Sequence, residues 1–147
     1  MSSPMRRSTL VAVLALSSPV SLGFETLIRK VTFTADMREM RVLLNPFLTP
    51  VAWVLLGVTA LAALLGVPAH HALHKRAYAR LGERANDPAA RASADTVSLY
   101  VASSIVQFPT LAATVTFTLG ADLVPVFAAL WLAAAGVAAI GIFGRRA

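Results

Sequence analysis

The chain contains no cysteine. That absence excludes disulfides, thiolate nucleophiles and cysteine-ligated zinc or iron–sulfur clusters. Charge is scarce too, at 14% of residues, and it is unevenly spread: the stretches 42–69, 96–121 and 123–144 carry none at all. A soluble fold of this size needs polar helix faces, and these runs have too few polar positions to supply them. What fills them is apolar, 57% of the 147 residues. A helix rises about 1.5 Å per residue, so about 20 apolar residues cross a bilayer core. Each run is long enough, and the expected fold is an all-α polytopic membrane protein with a bundle of four transmembrane helices.

The expected spans are about 9–28, 47–67, 97–119 and 123–143, in one membrane domain covering 1–147. The first has two readings. Residues 8–24 are free of charge, but Ser17, Ser18, Pro19 and Ser21 dilute the second half. Arg6 and Arg7 precede an apolar stretch, and Ser21 and Gly23 offer small residues for cleavage, which is how a secretory signal peptide reads. Cleavage of residues 1–23 would leave three spans; a retained helix gives four, since serine and proline are tolerated inside membrane bundles. The segment 29–46 is too charged to span. Within it a short interfacial helix is expected, with Met37, Met40 and Leu44 on one face, Thr34 or Asp36 at its start and Pro46 limiting its end.

From Pro68 the pattern becomes polar but keeps helical spacing through Leu73, Ala77 and Leu81. It predicts an extension to about Arg84, projecting about 25 Å from the membrane. Asn86-Asp87-Pro88 reads as a turn with an aspartate cap and proline at the first helical position. The stretch 68–96 is thus a helical hairpin between spans two and three. Gly120-Ala121-Asp122 is a second turn, Gly120 ending one helix and Asp122 capping the next.

Basic residues set the orientation. With both termini in the cytoplasm, Arg6, Arg7, Lys75, Arg76, Arg80, Arg84, Arg91, Arg145 and Arg146 lie inside and only Arg29, Lys30, Arg38 and Arg41 outside. That is the positive-inside pattern, and it makes the hairpin cytoplasmic. Arginine outnumbers lysine by 11 to 2 and alanine is abundant, which hints at a GC-rich bacterial genome and so at the bacterial inner membrane.

The most specific internal pattern lies in the third span. Thr96, Tyr100, Ser103, Gln107, Thr110, Thr114 and Thr118 are spaced 4, 3, 4, 3, 4 and 4, which puts them on one helix face. Gln107 falls near the bilayer centre, where lipid offers its amide no partner. Pro109 frees the carbonyl of Ile105 nearby. The stripe either packs against other helices through small residues and hydrogen bonds, the expected case, or lines a wet path or polar site centred on Gln107. The fourth span carries small residues on two faces, Ala129, Ala133 and Val137 on one and Ala135 and Ala139 on the other, with Gly136 and Gly141 nearby. Such faces permit close helix contact within or between chains.

His70, His71 and His74 lie together, and His70 and His74 share a helix face. Metal sites need three or four ligands and the next carboxylate, Glu83, is over two turns away, so no metal is expected. Arg76, Arg80 and Arg84 share a helical line; Lys75, Arg76 and Arg80 are expected to contact anionic headgroups, at about 1 kcal/mol each. No nucleic-acid module accompanies them. No cofactor motif or catalytic constellation stands out, so the expectation is a non-enzymatic subunit or scaffold acting through helix packing. Its partners would be the lipid bilayer, a homo-oligomer or other membrane proteins. The alternative is a small oligomeric channel or transporter using Ser103, Gln107, Thr110, Thr114 and Thr118.

Overall fold

A computed structural model describes residues 7–144. Arg6, Arg145 and Arg146, which enter the orientation argument, lie outside the described residues. The elements are α1 (Arg7–Thr32), α2 (Ala35–Leu81), a 3-10 turn (Gly82–Asn86), α3 (Pro88–Leu119) and α4 (Leu123–Phe143), with no strand among the described residues. All four α-helices are long and apolar enough to cross a membrane.

The interfacial segment expected at 29–46 is not a separate element. Its first residues end α1, and the rest opens α2, which continues unbroken through Pro46, Pro50 and Pro68. At 47 residues α2 is about 70 Å long, more than twice a bilayer core. A reason for this continuity lies in the side chains around Pro46. Arg41, Asn45 and Thr49 stand one above another on α2, and all three fasten to the α3–α4 turn. Arg41 Nη2 donates to the Phe117 carbonyl (2.9 Å), Asn45 Nδ2 donates to the Gly120 carbonyl (2.8 Å), and Thr49 Oγ1 accepts from the Asp122 N–H (3.1 Å). These bonds hold the helical course across the position where proline removes a donor.

At the other end of α2, Gly82 takes φ +50° and the chain tightens into the 3-10 turn. Asp87 then caps α3, its carboxylate accepting from the Ala89 N–H at 2.9 Å, with Pro88 first in the helix. Asp122 holds the cap position of α4 without bonding its N–H groups. Its carboxylate accepts instead from Asn45 Nδ2 at 2.9 Å, so the side chain joins helices rather than ending one.

α3 and α4 pack side by side, α2 covers both, and α1 lies chiefly on α4 and less on α3, away from α2. Arg7, Asp95 and His74 meet at one end of the bundle; Glu25, Arg41, Asn45 and Thr118 gather at the other. The chain therefore runs up, down, up and down. The core is built of small and branched residues, with Leu99, Ala102, Val106, Ala133, Val137 and Ile140 in one cluster and Ala113, Phe117, Val126, Ala129 and Leu130 in another. The Ala129–Ala133–Val137 face of α4 is thus spent inside the bundle, while Ala135 is exposed. Outside, large apolar side chains are bare: Leu64 is 75% exposed and Phe108 74%. A surface of that kind suits lipid tails as solvent.

Candidate functional site

The polar stripe of α3 faces α1, and the two helices run parallel in a fixed register. Gln107 Nε2 donates to the Leu14 carbonyl, Thr110 meets Ser18 with hydroxyls 3.4 Å apart, and Thr118 reaches Glu25 Oε1 at 3.0 Å. These pairs are 93, 92 and 93 residues apart in sequence, so the register holds to within one residue across all three. The 3- and 4-residue spacing on α3 therefore has a counterpart on α1. Each helix also has an internal proline, Pro19 and Pro109.

The hydroxyls are further satisfied by their own helix. Thr110 Oγ1 donates to the Gln107 carbonyl (2.6 Å), Thr114 to Thr110 (2.9 Å), and Thr118 shares its proton between Glu25 and the Thr114 carbonyl (3.0 Å). Such back-bonding lets a polar residue sit in apolar surroundings without a distant partner. Ser103 is fully buried and its hydroxyl makes no hydrogen bond. Thr96 and Tyr100 are exposed and do not join the seam.

At the Asp95 end, side chains from α1, α2 and α3 converge. Arg7 Nη1 contacts Asp95 Oδ2 at 2.5 Å, and His74 Nε2 lies 3.9 Å from Asp95 Oδ1. His70, one turn before His74, is fully buried, and its ring nitrogens make no hydrogen bond. The ring packs against Gly144, where a Cβ would approach it to 2.5 Å. His70 and His74 share a face as their spacing requires, with ring centroids 6.0 Å apart. Among the described residues no three histidine or carboxylate side chains are placed to hold a metal ion.

The opposite end carries a second charged group, in which the i,i+4 spacing of Glu25 and Arg29 pairs two members and the fold adds Arg41 and Phe117. Glu25 and Arg29 approach to 4.0 Å on α1. The Arg29 guanidinium lies 4.4 Å from the centre of the Phe117 ring, and that of Arg41 lies 5.5 Å from the same ring. Cations over an aromatic face in a partly desolvated setting gain about 0.5–2 kcal/mol. Lys75, Arg76 and Arg80 are exposed on α2. Arg76 and Arg80 line a groove of about 280 Å³ with Leu73 and Ala77, against Val97, Ser98 and Val101 of α3.

The fold thus defines an all-helical protein with four helices apolar enough to cross a membrane, pinned by a charged group at each end and a polar seam between them. Comparison with known protein families, curated proteins and solved structures finds no match.

Proposed function

We propose that the protein is a small multi-pass protein of the bacterial inner membrane, acting without catalysis as a subunit or scaffold through helix packing. The observation that carries this reading is the use made of the α3 stripe. Gln107, Thr110 and Thr118 are turned to α1 and the threonines also to their own backbone, an arrangement that serves assembly rather than passage. The termini and the hairpin at the Asp95 end lie in the cytoplasm, where Lys75, Arg76 and Arg80 meet anionic headgroups. The exposed apolar faces contact lipid, a second copy or another membrane protein.

A second reading, a small oligomeric channel or transporter, draws support from an open cavity of about 310 Å³ beside the stripe, lined by Ser17, Ser18, Ser21, Ser104, Gln107 and Thr110 among others. Single cysteines separate the two in this cysteine-free chain. For the packing role, cysteines at Ser103 and Thr110 in native membranes resist a water-soluble maleimide, while one at exposed Glu83 labels fully. Labelling of Ser103→Cys and Thr110→Cys at rates close to Glu83→Cys would replace the packing role with a wet path.

A further inference from the structure

The α1–α3 seam has an open side, and its geometry selects what fills it. A cavity of about 570 Å³ is walled by Val20, Phe24, Ile28 and Phe33 and carries Glu25, Arg29 and Thr118. It shares Ser17 and Ser21 with the 310 Å³ cavity beside Gln107, so the two form one groove. Between Arg29 and Ser17 α1 rises about 18 Å, close to the depth of one leaflet in a core about 30 Å thick. Next to the charged end the wall is apolar, through Ile28, Phe24 and Val20, and beyond it the lining is uncharged, with serines, Gln107 and Thr110, so the charge sits at one end only. That is the layout of an acyl chain with its headgroup.

The headgroup chemistry follows from three side chains. Arg29 lines the groove, and Arg41 stands over the same Phe117 ring and 5.9 Å from the ring of Phe33, another groove residue. Two guanidinium groups therefore stand at one ring, Arg29 lining the groove 4.0 Å from Glu25 and Arg41 lining the adjoining cavity with Arg38 and Asn45, and the one carboxylate among them leaves positive charge for a phosphate. Glu25 Oε1 is taken by Thr118, but Oε2 is buried with no hydrogen-bond partner. A buried carboxylate oxygen in that state calls for a donor. We propose that the α1–α3 groove binds one phospholipid of the leaflet at the Arg29 end, of the anionic, hydroxyl-bearing phosphatidylglycerol type, with its phosphate at Arg29 and Arg41, a headgroup hydroxyl on Glu25 and an acyl chain along Val20 and Phe24 toward Ser17. The site is distinct from the lysine and arginines of the hairpin, and it rests on the packed reading of the stripe, since a wet path would fill the Ser17 end of the same groove with water.

The test uses the full chain in phosphatidylcholine vesicles with nitroxide-labelled phosphatidylglycerol or phosphatidylcholine, reading the motion-restricted fraction by electron paramagnetic resonance. About one phosphatidylglycerol per chain is held, about tenfold more tightly than phosphatidylcholine. Arg29→Gln removes that preference. Ser21→Trp, which fills the groove from an exposed position, removes the site for both lipids, while Ala135→Trp on α4 leaves it intact. Equal retention of the two lipids by the unaltered protein overturns the proposal. So does a preference that survives Arg29→Gln and disappears only on neutralising Lys75, Arg76 and Arg80.

Discussion

Replacing Gly120 with alanine is expected to cost about 3 kcal/mol of bundle stability, from backbone strain and overpacking together. Gly120 ends α3 with φ +132°, a conformation side chains rarely adopt. A Cβ there would also lie 2.5 Å from the carbonyl oxygen of Arg41 and 3.0 Å from its Cα. Those atoms are backbone, so no rotamer change relieves the clash. The only relief is to move the start of α2 away from the turn, which breaks the bonds made by Arg41, Asn45 and Thr49. Denaturant titration in detergent micelles checks this, with Gly57→Ala as the control. Nothing lies within 4 Å of a Cβ at Gly57, and in mid-helix alanine is favoured over glycine. That variant should be neutral or slightly stabilising, and Gly120→Ala should unfold first.

The second large effect is expected at the centre of the bundle. In Gly136→Val, the added Cβ would meet Ala63 Cβ at 2.8 Å and Ala63 Cα at 3.1 Å, with Val106 Cγ1 at 3.1 Å on another side. The close approach of α4 to α2 rests on this pair of small residues. Without a hydrophobic force between helices in lipid, such packing is a main source of association. The cost is about 3 kcal/mol, near the upper end for overpacking. Gly66 supplies the comparison. The three atoms nearest a Cβ there all belong to side chains, Ile140 Cδ1 and Val106 Cγ2 at 2.9 Å and Ile140 Cγ1 at 3.2 Å. Gly66→Ala should therefore be the milder change, and thermal unfolding followed by helical circular dichroism should rank Gly136→Val well below it. Reversal of that order would mean that α2 and α4 do not meet at Ala63 and Gly136.

Three of the four apolar helices were legible because lack of charge over 20 or more residues is a local property, whereas α1, uncharged only over residues 8–24, also read as a signal peptide. The stripe on α3 was legible for the same reason: spacing alone assigns Gln107, Thr110 and Thr118 to one face. Its partner was not. Leu14 offers a backbone carbonyl, which no residue type advertises, and the matching positions lie 92 or 93 residues away. The course of α2 departs from the stop that Pro46 predicts. The evidence against a stop was present as Arg41, Asn45 and Thr49 at four-residue spacing. Their meaning depends on Phe117, Gly120 and Asp122, about 75 residues on, being brought alongside. Asp122 illustrates the same limit. Its position fits a helix cap, yet the carboxylate is claimed by Asn45 from another helix. The Arg7–Asp95 pair, 88 residues apart, has no local signature either.

The polar face of α3 is held against α1 within one chain. The most direct measurement is oxidative crosslinking of the doubly substituted Ser18→Cys, Thr110→Cys protein in native membranes. The two hydroxyls stand 3.4 Å apart, and with no native cysteine every intrachain disulfide must join this pair. The account predicts rapid, nearly complete crosslinking within a single chain, against almost none for Val13→Cys, Thr110→Cys, in which Val13 points outward at 54% exposure. Absence of an intrachain crosslink between positions 18 and 110, or crosslinks formed only between chains, would contradict it.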